Sequence, residues 1–453
     1  MRTLIDESPG PTAPLSATIA RPPADSDVRP RPDAQPLIRR LAERFALIGF
    51  ALYHLPLFIN NYPSLGGGGM REGGLAISWG HIFTPPGIWV AHHVFHIAGA
   101  MPNGYRGDNG DVAEEFGRLL IAVVIAALGA IGWTWADRRR PAARWTSEAL
   151  QLLLRFSIAL GLTSYAIAKI LPVQFGSGTM DALGLEQRLG EMHPMTLLWS
   201  FMMYSRPYAF FGGLMELVVV VLLCFRRTAT LGAVLCLAVM SNVAIMNYAY
   251  GVPVKLYSTM IVLSAAVLLL YDARRLWAVF ITSDSVPRVE HPALYQRIPR
   301  WLRWTTKGVL VGSVFASSIA AMKPGGEDAA RPAASAAGTV EGVWKVTAFE
   351  MDRRGATASA APSPWLRVFV RPGMVAVRLA TDSLVYCSRT PSAPTLSFTC
   401  AGAHRGDLQW SRAGDVLQLA GTIDSIPVRV TAVTLHPSDY ALLRWHFRWI
   451  DEP

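Results

Sequence analysis

Residues 208–227 read YAFFGGLMELVVVVLLCFRR. Apart from Glu216 the run is apolar until it closes on Arg226 and Arg227. Its length matches the roughly 20 residues that a helix needs to cross the hydrocarbon core of a bilayer. A basic pair at one end is the usual mark of a cytoplasmic helix terminus. Six similar runs occur elsewhere in the chain: Leu41–Ile59, Leu119–Ala136, Leu150–Leu171, Thr230–Asn247, Leu256–Tyr271 and Trp304–Met322.

Basic residues punctuate every second connection. Arg39, Arg40 and Arg44 open the first run, and Arg138 to Arg140 with Arg144 join the second to the third. Arg226 and Arg227 join the fourth to the fifth, while Arg274, Arg275, Arg300 and Arg303 join the sixth to the seventh. Cytoplasmic loops collect Arg and Lys, so the pattern predicts an N-terminus inside, seven spans and a C-terminus outside a bacterial cytoplasmic membrane. Composition agrees: of 453 residues 51% are hydrophobic and only 16% charged, which calls for lipid as part of the solvent. The net charge of +10 sits at the ends of apolar runs, so it orients helices and argues against a nucleic-acid partner.

Residues 1–36, rich in Pro, Ala, Ser and Asp, read as a disordered cytoplasmic tail. No signal-peptide core lies in it, so the first run reads as a signal anchor. The membrane domain is expected over 37–323, with a Gly/Ala/Pro linker over 324–339. From Val340 onward the periodicity changes to two, as in Leu366-Arg-Val-Phe-Val370 and Val375-Ala-Val-Arg-Leu379. Short alternating runs between Gly, Pro and Asp turns predict an antiparallel β barrel or sandwich over 340–453. The fold class is thus a helical membrane bundle followed by an extracytoplasmic β domain.

The cysteines fit this division. Cys224 and Cys236 lie in apolar runs as small buried hydrophobes, whereas Cys387 and Cys400 end successive strand-like runs. A cross-strand disulfide between the latter pair suits an oxidising compartment, provided their Cα atoms approach to about 5.5 Å. Two unpaired thiols is the other reading.

Ionisable groups inside spans cost on the order of 3 kcal/mol each and need a reason. Arg155 and Lys169, both in the third span, are long enough to snorkel to the nearer surface. Glu216 is too short to escape, so it requires a partner or a proton. At 1.5 Å per residue Arg155 and Lys169 flank its depth from either side, and Gly212 and Gly213 permit close helix approach. A structural ion pair and a functional site both remain open.

Other polar residues gather toward the outer half: Tyr165, Gln174, Asn242, Asn247, Tyr248, Lys255 and Tyr257. Taken singly they are interfacial anchors. Together with Glu216 they could line a pocket for an anionic or quinone-like head group. In the first outer loop His92 and His96 would share a helix face at i, i+4, the spacing of a metal or haem site. An interfacial amphipathic helix explains the same residues, and His54 keeps a paired-histidine haem arrangement open. Asn103 to Asp111 is turn chemistry whose aspartates could also take a cation.

The third to sixth spans resemble the DoxX-like membrane family. The likeness rests on Arg155, Gly161, Tyr165 and Lys169, then on Phe211-Gly-Gly-Leu-Met-Glu216 leading into Arg226-Arg-Thr-Ala229. Asn247-Tyr248 and Pro253-Val-Lys-Leu256 are similar to larger members with an outer β domain, as is the closing Arg444-Trp-His-Phe-Arg-Trp-Ile450. The resemblance implies a four-helix membrane core over 148–275. It also implies a link to the quinone pool, as in the membrane subunit of thiosulfate:quinone oxidoreductase. The layout of bundle plus outer β domain also resembles vitamin K-dependent carboxylase, another quinone user.

The expected function is therefore a quinone-linked redox membrane protein, with Glu216 relaying protons and Lys169 or Lys255 polarising the head-group oxygen. Arg155, Tyr165, Asn242 and Asn247 would help hold the cofactor, and the β domain would dock a periplasmic partner. The alternative is a non-catalytic scaffold, or a protein that binds a lipid or small anion.

Overall fold

The computed structural model describes residues 36–61, 75–97, 111–139, 144–171, 174–175, 182–285, isolated positions between 299 and 316, 339–351, 363–392, 395–400 and 404–440. The expected N-terminal tail, the linker, nearly all of the seventh expected span and the closing aromatic motif lie outside these residues.

The helices are α1 (Leu37–Asn61), α2 (Leu75–His93), α3 (Ala113–Ala136), α4 (Arg144–Ile170), the short α5 (Ala182–Leu185), α6 (Pro194–Tyr204), α7 (Arg206–Cys224), α8 (Ala229–Ala249) and α9 (Lys255–Trp277). Five of them, α3, α4, α7, α8 and α9, are long and apolar enough to cross a membrane. The first expected span coincides with α1, whose opening turns carry Arg39, Arg40, Glu43 and Arg44. Large apolar side chains such as Leu128, Ile131, Phe211, Leu231 and Leu270 are exposed, an arrangement that lipid tolerates and water does not.

Helix α4 is the hub. It packs on α7, α1 and α9, while α8 bridges α7 and α9 and α3 lies against α1. The interior is built from Leu154, Ile158 and Leu162 of α4, Val219 and Leu223 of α7, Cys236 and Met240 of α8, and Ile261 and Ala265 of α9. Local chemistry sets the helix starts. Ser205 caps α7 by accepting from the Tyr208 amide, and Pro207 stands in the first turn, where its missing N–H costs nothing. His193 caps α6 in the same way, with Pro194 following.

The C-terminal part is a closed barrel of eight antiparallel strands in sequence order. They are β1 (Gly342–Met351), β2 (Trp365–Arg371), β3 (Met374–Leu379), β4 (Leu384–Ser392), β5 (Thr395–Cys400), β6 (Arg405–Ala413), β7 (Val416–Ile423) and β8 (Ile426–Thr434). Pairing of β8 with β1 closes it, so the barrel, not the sandwich, is correct. Trp344, Val368, Val377, Leu396, Phe398, Leu408, Leu419 and Val430 pack in its core. Eight strands enclose just enough space for side chains to fill. Asp424 and Ser425 both hold positive φ, 50° and 68°, as the two-residue turn between β7 and β8 requires. Cys387 and Cys400 stand opposite each other on β4 and β5 and are disulfide-bonded, with Cα atoms 3.9 Å apart. The barrel meets the α4–α7 connection through ion pairs of Glu186 with Arg367 and Arg378.

Candidate functional site

The contact between α4 and α7 creates the site. A Cβ on Gly213 would lie 2.8 Å from both the Ala166 carbonyl oxygen and the Lys169 Cβ, so only glycine lets these backbones come this close. Their approach brings Lys169, in the last turn of α4, onto Glu216. The Lys169 Nζ donates to Glu216 Oε1 at 2.5 Å, and the two residues are 7% and 2% exposed. The second oxygen, Oε2, is buried and has no hydrogen-bond partner among the described residues. Beneath the ammonium lies Tyr165, its ring centroid 6.0 Å from Nζ, and Tyr165 stacks on Tyr257 of α9 at 5.8 Å. Gly161 leaves room for the Tyr257 hydroxyl. Lys169, Tyr165 and Glu216 are therefore brought together as expected.

Arg155 is not. Its Nε and Nη2 donate to the Leu223 carbonyl at 3.0 and 2.8 Å, which satisfies an orphan acceptor at the C-terminus of α7. Leu223 lies about 10 Å along that helix from Glu216 at 1.5 Å per residue, so Arg155 neither snorkels nor joins the site. Asn247 is buried and donates to Ser258 on α9 at 3.1 Å, a helix-to-helix tie. Asn242 is exposed on another face of α8 and does not line the site.

Lys255 also departs from expectation. Its ammonium pairs with Asp111 at 3.2 Å, and the amides of Lys255 and Leu256 donate to the same carboxylate at 2.8 Å each. Asp111 thus caps α9 from a distant loop, which replaces the cation reading of that residue. The sequence concealed this because the partners are 144 residues apart. The histidine pair fails on geometry: α2 ends at His93, and His96 lies beyond it with φ 53°, so His92 and His96 do not share a helix face. His54 is buried against Ser264 of α9, at 3.1 Å, while His92 and His96 are exposed. Among the described residues no three His, Cys, Asp or Glu side chains cluster as metal ligands.

Fold and site together define a multi-pass membrane protein whose helical bundle buries a lysine–glutamate pair and whose chain continues into a closed β barrel. The chain is 32% identical over 143 residues to the uncharacterized protein YwoB of Bacillus subtilis (strain 168), and it belongs to that protein's family. The match takes in 32% of this chain and 88% of that protein. No family model and no solved structure matches the chain.

Proposed function

We propose that this is a DoxX-like protein of a bacterial inner membrane that binds a quinone at the Lys169–Glu216 pair and takes part in its reduction. The observation that carries the reading is the buried Oε2 of Glu216, an acceptor with no partner among the described residues beside a lysine. A buried acceptor left unpaired costs about 1–3 kcal/mol, and the hydroxyl of the reduced, quinol head group would satisfy it. The Lys169 ammonium has three donors and spends one on Glu216, so it can also donate to a quinone carbonyl oxygen. Glu216 first takes up a proton at Oε2; as the ring accepts two electrons, Glu216 passes that proton to the nearer oxygen and water supplies the second at the far oxygen, giving a quinol. The electrons come from an extracytoplasmic reductant of the sulfur-oxyanion class that the resemblance implies.

Orientation follows from charge and redox chemistry. Arg138, Arg139, Arg226, Arg227, Arg274 and Arg275 mark one end of the bundle as cytoplasmic. The Cys387–Cys400 disulfide fits an oxidising compartment, and the barrel's ion pairs with the α4–α7 connection support a place for it at the opposite end. A C-terminal alkaline phosphatase fusion should be active, and a fluorescent fusion that matures only in the cytoplasm should be dark.

The catalytic test is Glu216→Gln, which keeps the shape and removes the exchangeable proton. Quinone reduction by membranes should fall by about 100-fold, the lower end of general acid catalysis. An unchanged rate would refute the reading. A non-catalytic lipid- or anion-binding protein is the second reading, favoured by the fact that Lys169 and Glu216 already neutralise each other. It predicts extracted lipid but no quinone in the purified protein.

A further inference from the structure

Glu186 follows α5 in the connection between α4 and α7, yet it is only 7% exposed. Its carboxylate meets Arg367 of β2 and, at 3.4 Å, the Nε of Arg378 of β3. Two residues on, Arg188 meets Asp382 in the β3–β4 turn. Arg378 Nη1 in turn donates to the Asp382 carboxylate at 2.7 Å and to its carbonyl at 2.9 Å. Charge alternates along Arg367, Glu186, Arg378, Asp382 and Arg188, and three of the four links cross between bundle and barrel.

The barrel side of this contact is built for an acidic occupant. Arg367 stands opposite Arg378 in the β2–β3 register, and like charges directly opposed across two strands repel unless a carboxylate lies between them. Two residues along the same outward face, Phe369 stands opposite Ala376. They are 2% and 0% exposed although they point away from the barrel core, so this face is covered and not wet. Val343, Met374 and Leu384 of the neighbouring strands pack on this pair, so the barrel supplies that cover itself and the charged residues beside it carry the contact with the connection. On the bundle side, the segment that supplies Glu186 and Arg188 joins the two helices that hold Lys169 and Glu216.

We propose that these five residues form a clasp that docks the barrel onto the α4–α7 connection. The occupant of the barrel's basic outward face is this chain's own segment 182–188, and release of the clasp is transmitted to the Lys169–Glu216 pair. The docking part stands without the quinone reading; the transmission part rests on it.

The test uses the full chain in lipid nanodiscs and amide hydrogen exchange. Glu186→Arg should raise exchange several-fold in segment 182–188 and in the β3–β4 turn, while β6 and β7 stay protected and so report an intact barrel. Adding Arg367→Glu, Arg378→Glu, Asp382→Arg and Arg188→Glu to that variant reverses every sign and restores the alternation, and protection should return. The milder Asp382→Asn should give a smaller rise in the same two segments. Unchanged exchange in Glu186→Arg, or failure of the reversed set to restore protection while β6 and β7 remain protected, would overturn the clasp. Quinone turnover should change in Glu186→Arg and recover in the reversed set. If exchange responds and turnover does not, transmission is refuted and docking remains. Loss of the quinone reading would show instead as inertness of Glu216→Gln, with the exchange results intact.

Discussion

At Glu216 the controlling quantity is the cost of holding a charge where neither water nor lipid can solvate it. The Lys169 ammonium at 2.5 Å offsets that cost, and breaking a buried pair by removing one partner costs about 3–5 kcal/mol. Lys169→Met should therefore lower the thermal unfolding temperature of the detergent-solubilised protein substantially. The double variant Lys169→Met with Glu216→Leu should recover most of the loss, because an apolar pair of similar volume replaces the ions. If the double variant is as unstable as the single one, the pair is not what the stability depends on. The adjacent glycines give a sharper contrast. A methyl on Gly212 would meet only the Lys169 Cδ, at an ordinary 3.9 Å, whereas one on Gly213 would meet backbone and Cβ at 2.8 Å. Gly212→Ala should be well tolerated and Gly213→Ala should lower the yield of folded protein, read by size-exclusion profile.

Among the helices, α9 depends on a residue outside itself. Its first two amides are satisfied by Asp111, and a lost N-terminal cap typically costs about 1–2 kcal/mol. Asp111→Ala should speed amide exchange in the first turn of α9 while leaving α7 protected. Arg155→Met should likewise loosen the C-terminal turn of α7, since it withdraws both donors from the Leu223 carbonyl. The sequence marked the positions of α3, α4, α7, α8 and α9 because each is a predominantly apolar run of bilayer length. It marked β1, β2, β3, β7 and β8 by alternation of period two, as also at Val343–Val346, Val416–Leu419 and Val428–Val430. Strand β6, Arg405–Ala413, was hidden because it faces the core with little beyond Leu408 and Trp410. Asp111 and His54 were unreadable as a cap and a buried hydrogen-bonding group, since their partners lie on a remote helix.

For the molecule as a whole, bundle and barrel stand on different physics. The bundle needs lipid around its exposed apolar faces, whereas the barrel has its own core and a covalent tie. The tie closes a separation of 13 residues, which on the chain-entropy account is worth about 3 kcal/mol. Replacing Cys387 and Cys400 with serine should lower the barrel's unfolding temperature, followed by near-ultraviolet circular dichroism of Trp344, Trp365 and Trp410. The transition of the helical part should move less. Equal displacement of both transitions would mean that the two parts unfold as one unit.

Local sequence was enough to mark apolar runs of bilayer length, five of which the helices bear out, to arrange the basic ends, and to locate the change from helical to strand periodicity. Those properties depend on hydropathy, charge and alternation within short stretches, and they act before any distant contact forms. Long-range packing set the pairing of Lys169 with Glu216, the turn of Arg155 to a helix end, the pairing of Lys255 with Asp111 and the closure of β8 on β1. It also seated Glu186 between two arginines of the barrel. Each of these depends on which backbones come close enough to exclude solvent. That is set by packing between elements far apart in the chain, as at Gly213, and composition within any single stretch does not encode it.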